Sequence, residues 1–307
     1  MIHTVTLNPS LDYLVQTDHL RPGRLCRMHG ETLRPGGKGV NVSLVCAALG
    51  LSTRALGFIA GGTGALFASL LAETGVEYDF CRLGQGMTRI NVKVCAREQT
   101  ELNGAGPDIP ADALEKLAAS LDTLGGGDWL VLSGSVPSGV PADIYARLLG
   151  RVRANGVHTL VDTSGDALKN ALPCAPDLIK PNLEELDALV GGAPRSPAGI
   201  AACARELQAA GARDILVSCG PDGAVLVPAA GAALHLDAPA GQVVQTVGSG
   251  DSMAAGWLYA RLHGFSAPEA LRFAVAAGSA AAFCGWLPDR AAVEEVLRRT
   301  AAPTEIR

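Results

Sequence analysis

The feature that most constrains this chain is the alternation of short apolar runs with segments of helical period, which is how a parallel sheet wrapped by helices is written in sequence. Thr4 to Leu7 reads as a strand, and Val40 to Leu49 as a helix that opens at a glycine-rich turn and stops at Gly50. Leu114, Leu117, Leu121 and Leu124 recur at helical spacing ahead of the strand Trp129 to Leu132. Ile144, Leu148, Leu149 and Val152 mark another helix before the strand Thr159 to Val161, and Ile215 to Ser218 is a further strand. Ser266 and Glu269 form a capping box ahead of an Ala-rich helix. Its small residues on every side predict close packing between neighbours.

Two stretches break the rhythm, about Asp12 to Pro35 and Thr88 to Asn103, and neither carries a helix pattern. In the second, period two sends Arg89, Asn91 and Lys93 to one face and Ile90, Val92 and Val94 to the other. A strand so divided fits a cover over a polar ligand, or an ordinary solvated sheet face. The expected organisation is an α/β core of residues 1–11, 36–87 and 104–307, with a discontinuous β lid of 12–35 and 88–103.

With 307 residues, 48% of them apolar, the chain can bury a large core. A net charge of −5 without any Lys/Arg run argues against nucleic acid or an anionic membrane as partner, so an anionic ligand must be gripped locally. The start lacks a basic segment followed by a long apolar one, and the run Ala274 to Leu287 is too short for a bilayer, so a cytoplasmic protein is expected. The eight cysteines form no C-x-x-C pair and the six histidines no metal spacing. The cysteines read as reduced core residues rather than disulfides or metal ligands.

Three glycine-rich elements and one polar pair can carry chemistry. Gly248-Ser249-Gly250-Asp251 opens a helix, where converging backbone N–H groups and the helix dipole make an anion hole. Asp251 at its lip could take a proton from a hydroxyl while those amides stabilise a transferring phosphoryl group, or could merely favour the helix start. Ser218-Cys219-Gly220-Pro221-Asp222-Gly223 could cradle phosphate or could simply turn between strands. Gly36-Gly37-Lys38-Gly39 is no P-loop, because Gly39 stands where that motif needs Ser or Thr. Asn182 and Glu185, three apart on a new helix, could hold hydrated Mg²⁺ through water or act as a capping box.

In order, Asn8-Pro9-Ser10-x-Asp12, Gly-Gly-Lys-Gly-x-Asn at 36–41, Thr88-Arg89-x-Asn91, Lys180-Pro181-Asn182-x-x-Glu185, Ser218-x-Gly220-x-x-Gly223 and Gly248-x-Gly250-Asp251 span nearly the whole sequence. This succession resembles the ribokinase (PfkB) family of carbohydrate kinases. Leu7 to Asp12, Thr88 to Lys93 and Thr100-Glu101-Leu102-Asn103-Gly104 are similar to its 1-phosphofructokinase and tagatose-6-phosphate kinase branch. The resemblance implies a ribokinase-like fold, ATP and Mg²⁺ as cofactors, a phosphorylated ketohexose as substrate, and pairing of two copies through the lid.

It also implies roles. Asp251 would be the base, with Gly248, Ser249 and Gly250 as the anion hole. Asp12, Gly37, Lys38 and Asn41 would hold the sugar, and Arg89 its phosphate, helped by Asn91, Lys93, Asn103 and Ser135. Lys180, Asn182 and Glu185 would organise Mg²⁺ and the ATP phosphates, with Ser218, Gly220, Gly223 and Ser279 along the nucleotide. The implied reaction takes fructose 1-phosphate to fructose 1,6-bisphosphate, with tagatose 6-phosphate or fructose 6-phosphate as competing substrates. A catalytically silent sugar-phosphate sensor is the alternative of another class, and a nicotinamide oxidoreductase fails because no G-x-G-x-x-G follows the first strand. Two positions depart from many relatives: Ser249 stands where Ala is common, and Phe283-Cys284-Gly285-Trp286 replaces a polar stretch.

Overall fold

The computed structural model describes residues 1–192 and 195–306; Ala193, Pro194 and Arg307, which fall inside the expected core range, lie outside the described residues. Among the described residues fourteen strands follow in chain order: β1 (Ile2–Thr6), β2 (Ser10–Gln16), β3 (Gly30–Gly36), β4 (Thr53–Ala60), β5 (Glu77–Leu83), β6 (Arg89–Cys95) and β7 (Gln99–Asn103), then β8 (Trp129–Ser133), β9 (His158–Asp162), β10 (Leu178–Ile179), β11 (Asp214–Ser218), β12 (Ala224–Val227), β13 (Leu234–Leu236) and β14 (Thr304–Glu305). They form a ten-stranded sheet in the order β14-β13-β12-β11-β10-β9-β8-β1-β4-β5 and a separate four-stranded sheet in the order β3-β2-β6-β7.

From β11 through β5 the large sheet is parallel, and only β12, β13 and β14 add antiparallel strands at one edge. The parallel part lies between two helical layers, so its strands are apolar on both faces. Val5, Leu130, Leu132, Ile215 and Val217 enter one core with the helices Ala111–Ser120, Ile144–Val152 and Pro197–Ala209. Ile2, Trp129, Val131 and Leu216 enter the other, beneath Lys38–Ala48, Ser249–Leu262 and Ala267–Phe283. The Ala-rich helix packs as its composition predicts. A Cβ at Gly256 would stand 2.7 Å from that of Ala277, so only glycine lets the two helices approach this closely.

Chain order reverses beside β1, which has β4 on one side and β8 on the other. At such a switch point the connecting loops diverge and open a crevice at the carboxyl ends of the strands. Asp162 ends β9, Lys180 follows β10 directly and Ser218 ends β11, so three polar residues from distant parts of the chain converge there. The small sheet closes the other side of this crevice, and a third apolar cluster with Leu11, Val40, Ile59 and Phe67 fills the space beneath it.

Candidate active site

The crevice is a cleft of about 470 Å³ whose lining includes Asp12, Lys38, Asn41, Arg89, Lys180 and Asp251. Of the residues singled out in the sequence, Gly37, Asn91, Lys93, Asn103, Asn182, Glu185, Ser218, Gly248 and Gly250 also line it. Ser135, Ser249, Gly220, Gly223 and Ser279 stand outside that lining. Ser135 is an exposed loop residue and Ser279 is half-buried on the Ala-rich helix. Gly220 and Gly223 bound the turn that sends β11 antiparallel into β12; a Cβ at Gly223 would collide with Leu236 O at 1.9 Å. Gly223 is required there by the backbone, and Gly220 supplies a left-handed φ of 59° with open space beside it.

The small sheet supplies one wall. Asp12 on β2 pairs in register with Arg34 on β3 and Asn91 on β6, and Asn91 in turn with Asn103 on β7. Directly paired residues point to the same face, so this row spans the sheet on the cleft side. The solvated-face reading of β6 therefore fails: Asn91 and Lys93 are only 9% and 6% exposed. Asp12 accepts hydrogen bonds from Ser10 Oγ (2.8 Å) and Asn91 Nδ2 (3.2 Å) and pairs with Lys93 Nζ at 3.2 Å. Asn91 Oδ1 is buried without a partner, a vacant acceptor in a polar wall. Arg89 Nε donates to Asn8 O at 3.1 Å, which braces the guanidinium against the end of β1. Burial lowers its pKa and the Asp12 charge opposes that, yet a guanidinium stays charged throughout the working range.

The other wall is electrostatic. The helix Lys38–Ala48 starts hard against β1: Thr6 Oγ1 accepts from Val40 N at 3.1 Å, and Gly37, at φ 116°, has Thr6 and Pro9 where a side chain would go. This close approach explains the glycine cluster and aims Lys38 and Asn41 into the cleft. Asn41 Nδ2 donates to Asp251 Oδ2 at 2.7 Å. Asp251 sits in the first turn of Ser249–Leu262, behind Gly248 at φ 81°. Burial and the negative charge of Asp162 raise its pKa to about 6, against the pull of Asn41, Lys38 and Lys180. A carboxylate tuned toward neutrality suits a general base.

Sequence reasoning misses Asp162. Its side chain is fully buried and stands between two ammonium groups, Lys38 Nζ at 3.0 Å and Lys180 Nζ at 3.2 Å. Burial opposes its ionisation, but the two lysines outweigh burial and hold its pKa below the ordinary carboxylate value. Lys38 is affected in the opposite sense; desolvation disfavours its charge, yet Asp162, Glu185 and Asp251 raise its pKa. The one signal for Asp162 in the sequence is its place at the carboxyl end of a parallel strand. Ser10, Glu101 and Val247 also line the cleft, and the sequence assigns them no role there.

Asn182 and Glu185 form the capping box in full: Glu185 N donates to Asn182 Oδ1 at 2.8 Å, and Asn182 N to Glu185 Oε2 at 2.9 Å. Both expected roles are compatible, because Glu185 Oε1 still faces the cleft 3.7 Å from Lys38 Nζ. Among the described residues no cluster of three or more His, Cys, Asp or Glu could cage a metal. The eight cysteines are unpaired, with Cys46, Cys203 and Cys219 buried. Among the described residues no helix is long and apolar enough to cross a membrane.

A buried carboxylate at a helix start, a glycine turn beside it and ammonium groups facing it can together serve a phosphoryl transfer. Residues 6–285 match the pfkB family of carbohydrate kinases. The chain is 37% identical over 297 residues to a 1-phosphofructokinase of Bacillus subtilis (strain 168), covering 97% of each. To a D-tagatose-1-phosphate kinase of Bacillus licheniformis it is 37% identical over 290 residues, covering 94% of this chain and 95% of that one. The crystal structure of phosphofructokinase-2 from Escherichia coli in complex with fructose-6-phosphate superposes with a TM-score of 0.90 at 32% identity, covering 97% of this chain and 98% of that one. This chain is therefore a phosphotransferase and belongs to the pfkB family of carbohydrate kinases.

Proposed function

We propose that this chain transfers the γ-phosphoryl group of ATP to the 6-hydroxyl of fructose 1-phosphate, giving fructose 1,6-bisphosphate and ADP. The observation that carries the reading is the buried Asp251 carboxylate, held by Asn41 beside the Gly248 turn and facing a polar wall of Asp12, Asn91 and Lys93. The sugar lies along that wall, its existing phosphate at Arg89 and its free hydroxyl at Asp251. Asp251 takes the hydroxyl proton as the oxygen attacks the γ-phosphorus, and the bond to the β-phosphate oxygen breaks to release ADP. Amides of Gly248 and Gly250, with Lys38 and Lys180, stabilise the charge spread over the transferring group, while the Ser249 amide is taken by Thr246 O at 3.2 Å.

Mg²⁺ fits the donor set as a hydrated ion carried by the nucleotide, since Glu185 Oε1 is free of the capping box and no all-protein cage exists among the described residues. Glu185 and Asn182 would hold it through water, where it would neutralise phosphate charge. Residues 12–35 and 88–103 act as the lid, excluding water while the transfer occurs. The exposed Leu20, Leu25, Met28 and Leu102 on this unit support pairing of two copies through it; light scattering that gives a single copy at working concentration overturns that pairing.

The Bacillus licheniformis relative favours one second reading, a ketohexose 1-phosphate of the tagatose series, because it too carries the phosphate at carbon 1. A panel with ATP and Mg²⁺ separates the cases: fructose 1-phosphate, tagatose 1-phosphate, fructose 6-phosphate, tagatose 6-phosphate and unphosphorylated sugars. Highest kcat/KM on fructose 1-phosphate is expected. Preference for a 6-phosphate reverses the assigned orientation, and no phosphorylation of any of them removes the reading.

A further inference from the structure

The departing stretch Phe283-Cys284-Gly285-Trp286 lies where the Ala-rich helix ends, between the small sheet and the Gly248 turn. On the sheet side the Arg34 guanidinium lies 4.6 Å from the centre of the Trp286 ring, and Arg34 Nη1 donates to Gly285 O at 3.3 Å. Arg34 shares its register with Asp12, so the contact starts from the cleft face of the sheet. On the catalytic side Leu287 covers Gly248: a Cβ there would stand 2.6 Å from Leu287 Cδ2. Leu287 also packs against both the core beneath Ser249–Leu262 and the cluster beneath the small sheet, and Trp286 packs against the latter. Behind them, Val244 N donates to Ala282 O at 2.8 Å and Arg299 lies 5.1 Å over the Phe283 ring, fastening the stretch to the segment that leads into Gly248.

We infer that residues 283–287 form a strap joining the small sheet to the anion-hole turn, and that Arg34, Trp286 and Leu287 are positioning residues for phosphoryl transfer. The inference rests on the reading of Gly248 to Asp251 as the transfer site. Ser249 N donates to Thr246 O at 3.2 Å and Ser252 N to Gly248 O at 2.8 Å, and Gly248 has no side chain to lock its left-handed conformation, so the leucine packed on it adds the side-chain restraint on the turn's amides. Amides that stabilise a transition state lose their value when displaced by a fraction of an ångström. The strap makes that alignment depend on where the small sheet sits, because the arginine–indole contact is the polar link between them.

The test compares the full-length wild type with Arg34→Ala, Trp286→Ala, the double variant, Trp286→Phe and Leu287→Ala. It reads kcat, KM, thermal midpoint and the ratio of ATP hydrolysed to sugar phosphorylated. The expected result is a kcat loss of roughly three- to tenfold for Arg34→Ala and for Trp286→Ala, the range of one half-exposed cation–π contact plus its packing, with KM for the sugar phosphate nearly unchanged. The double variant should be no worse than the poorer single, and Trp286→Phe should recover much of the loss. Leu287→Ala should cost about tenfold or more and raise the share of ATP lost to water.

Unchanged kcat in a folded Arg34→Ala overturns the strap, as do losses that multiply in the double variant. If Trp286→Ala does not fold, Arg34→Ala measured in the wild-type and Trp286→Phe backgrounds decides on the same outcomes. A wild type that phosphorylates none of the ketohexose phosphates defeats the functional reading itself. An active wild type with an indifferent Arg34 defeats only the strap.

Discussion

The two walls of the cleft are built by opposite rules. The wall proposed to face the sugar is a strand surface: Arg34, Asp12, Asn91 and Asn103 occupy one register row, and each is placed by period two and strand pairing. The wall proposed for transfer is assembled from ends: Asp162 closes one strand, Lys180 follows another, Lys38 and Asp251 open two helices. A row on a sheet can be altered one side chain at a time, since its neighbours keep their backbone. Groups at element ends share charges, so a change in one is felt by the rest. Lys38 and Lys180 both lean on Asp162, and Asp251 feels all three. Substitutions in the transfer wall should therefore act on kcat and together, and those in the sugar wall on KM and singly, except Arg34, whose contact with Trp286 ties it to the Gly248 turn and so to kcat.

The largest effect is expected at Asp251. Asp251→Asn keeps the hydrogen-bonding shape but removes the proton acceptor, and kcat should fall by about 10³ or more with substrate binding largely retained. Isothermal titration alongside steady-state kinetics checks both halves, and near-normal turnover would remove Asp251 as base. In the wild type the acid limb of kcat/KM should lie near pH 6. The carboxylate must be ionised to accept the proton, so activity falls as pH drops through the raised value.

Asp162→Asn comes next, at about 10² in kcat. It leaves two ammonium groups facing each other with no carboxylate between them, so both relax away from the transferring group. It also moves Asp251 in a definite direction. Loss of the Asp162 charge removes a contribution that raises the Asp251 pKa, and frees Lys38 and Lys180 to lower it further. The acid limb should shift to lower pH. An unmoved limb with unchanged kcat would mean that the two walls do not differ as argued.

The same contrast decides which features are legible in the amino-acid order alone. Strand-and-helix order, the Ala-rich helix and both capping boxes are local patterns, and they stand where the sequence places them within a residue or two. The polar face of β6 is legible because period two is written in consecutive residues, although its burial is not, since the opposing wall comes from sequence far away. Asp162 has no local mark: an aspartate after Val161 looks like any strand end until β9 lies between β8 and β10. Arg34 is hidden for the same reason, because its row exists only once β2 and β3 pair. Gly220 and Gly223 show the converse, a phosphate-like pattern whose glycines the turn itself requires.

The smallest effect tests the sugar wall by itself. Arg89 is braced by Asn8 O and Gly104 O, so Arg89→Ala removes a charge without removing a strut between helices. If it holds the phosphate already on the sugar, KM for fructose 1-phosphate should rise roughly tenfold to a hundredfold, the value of a charge-assisted, bidentate contact in a partly buried site. KM for an unphosphorylated ketohexose should barely move, and kcat should stay within a few-fold, because the base, the glycine turn and both lysines are untouched. Arg89→Lys should recover part of the loss, having charge but no fork. Equal losses on phosphorylated and free sugars would show that Arg89 shapes the wall rather than reading the phosphate. A fall confined to kcat would mean that the two walls act as one unit, and the division between surface and ends would not survive.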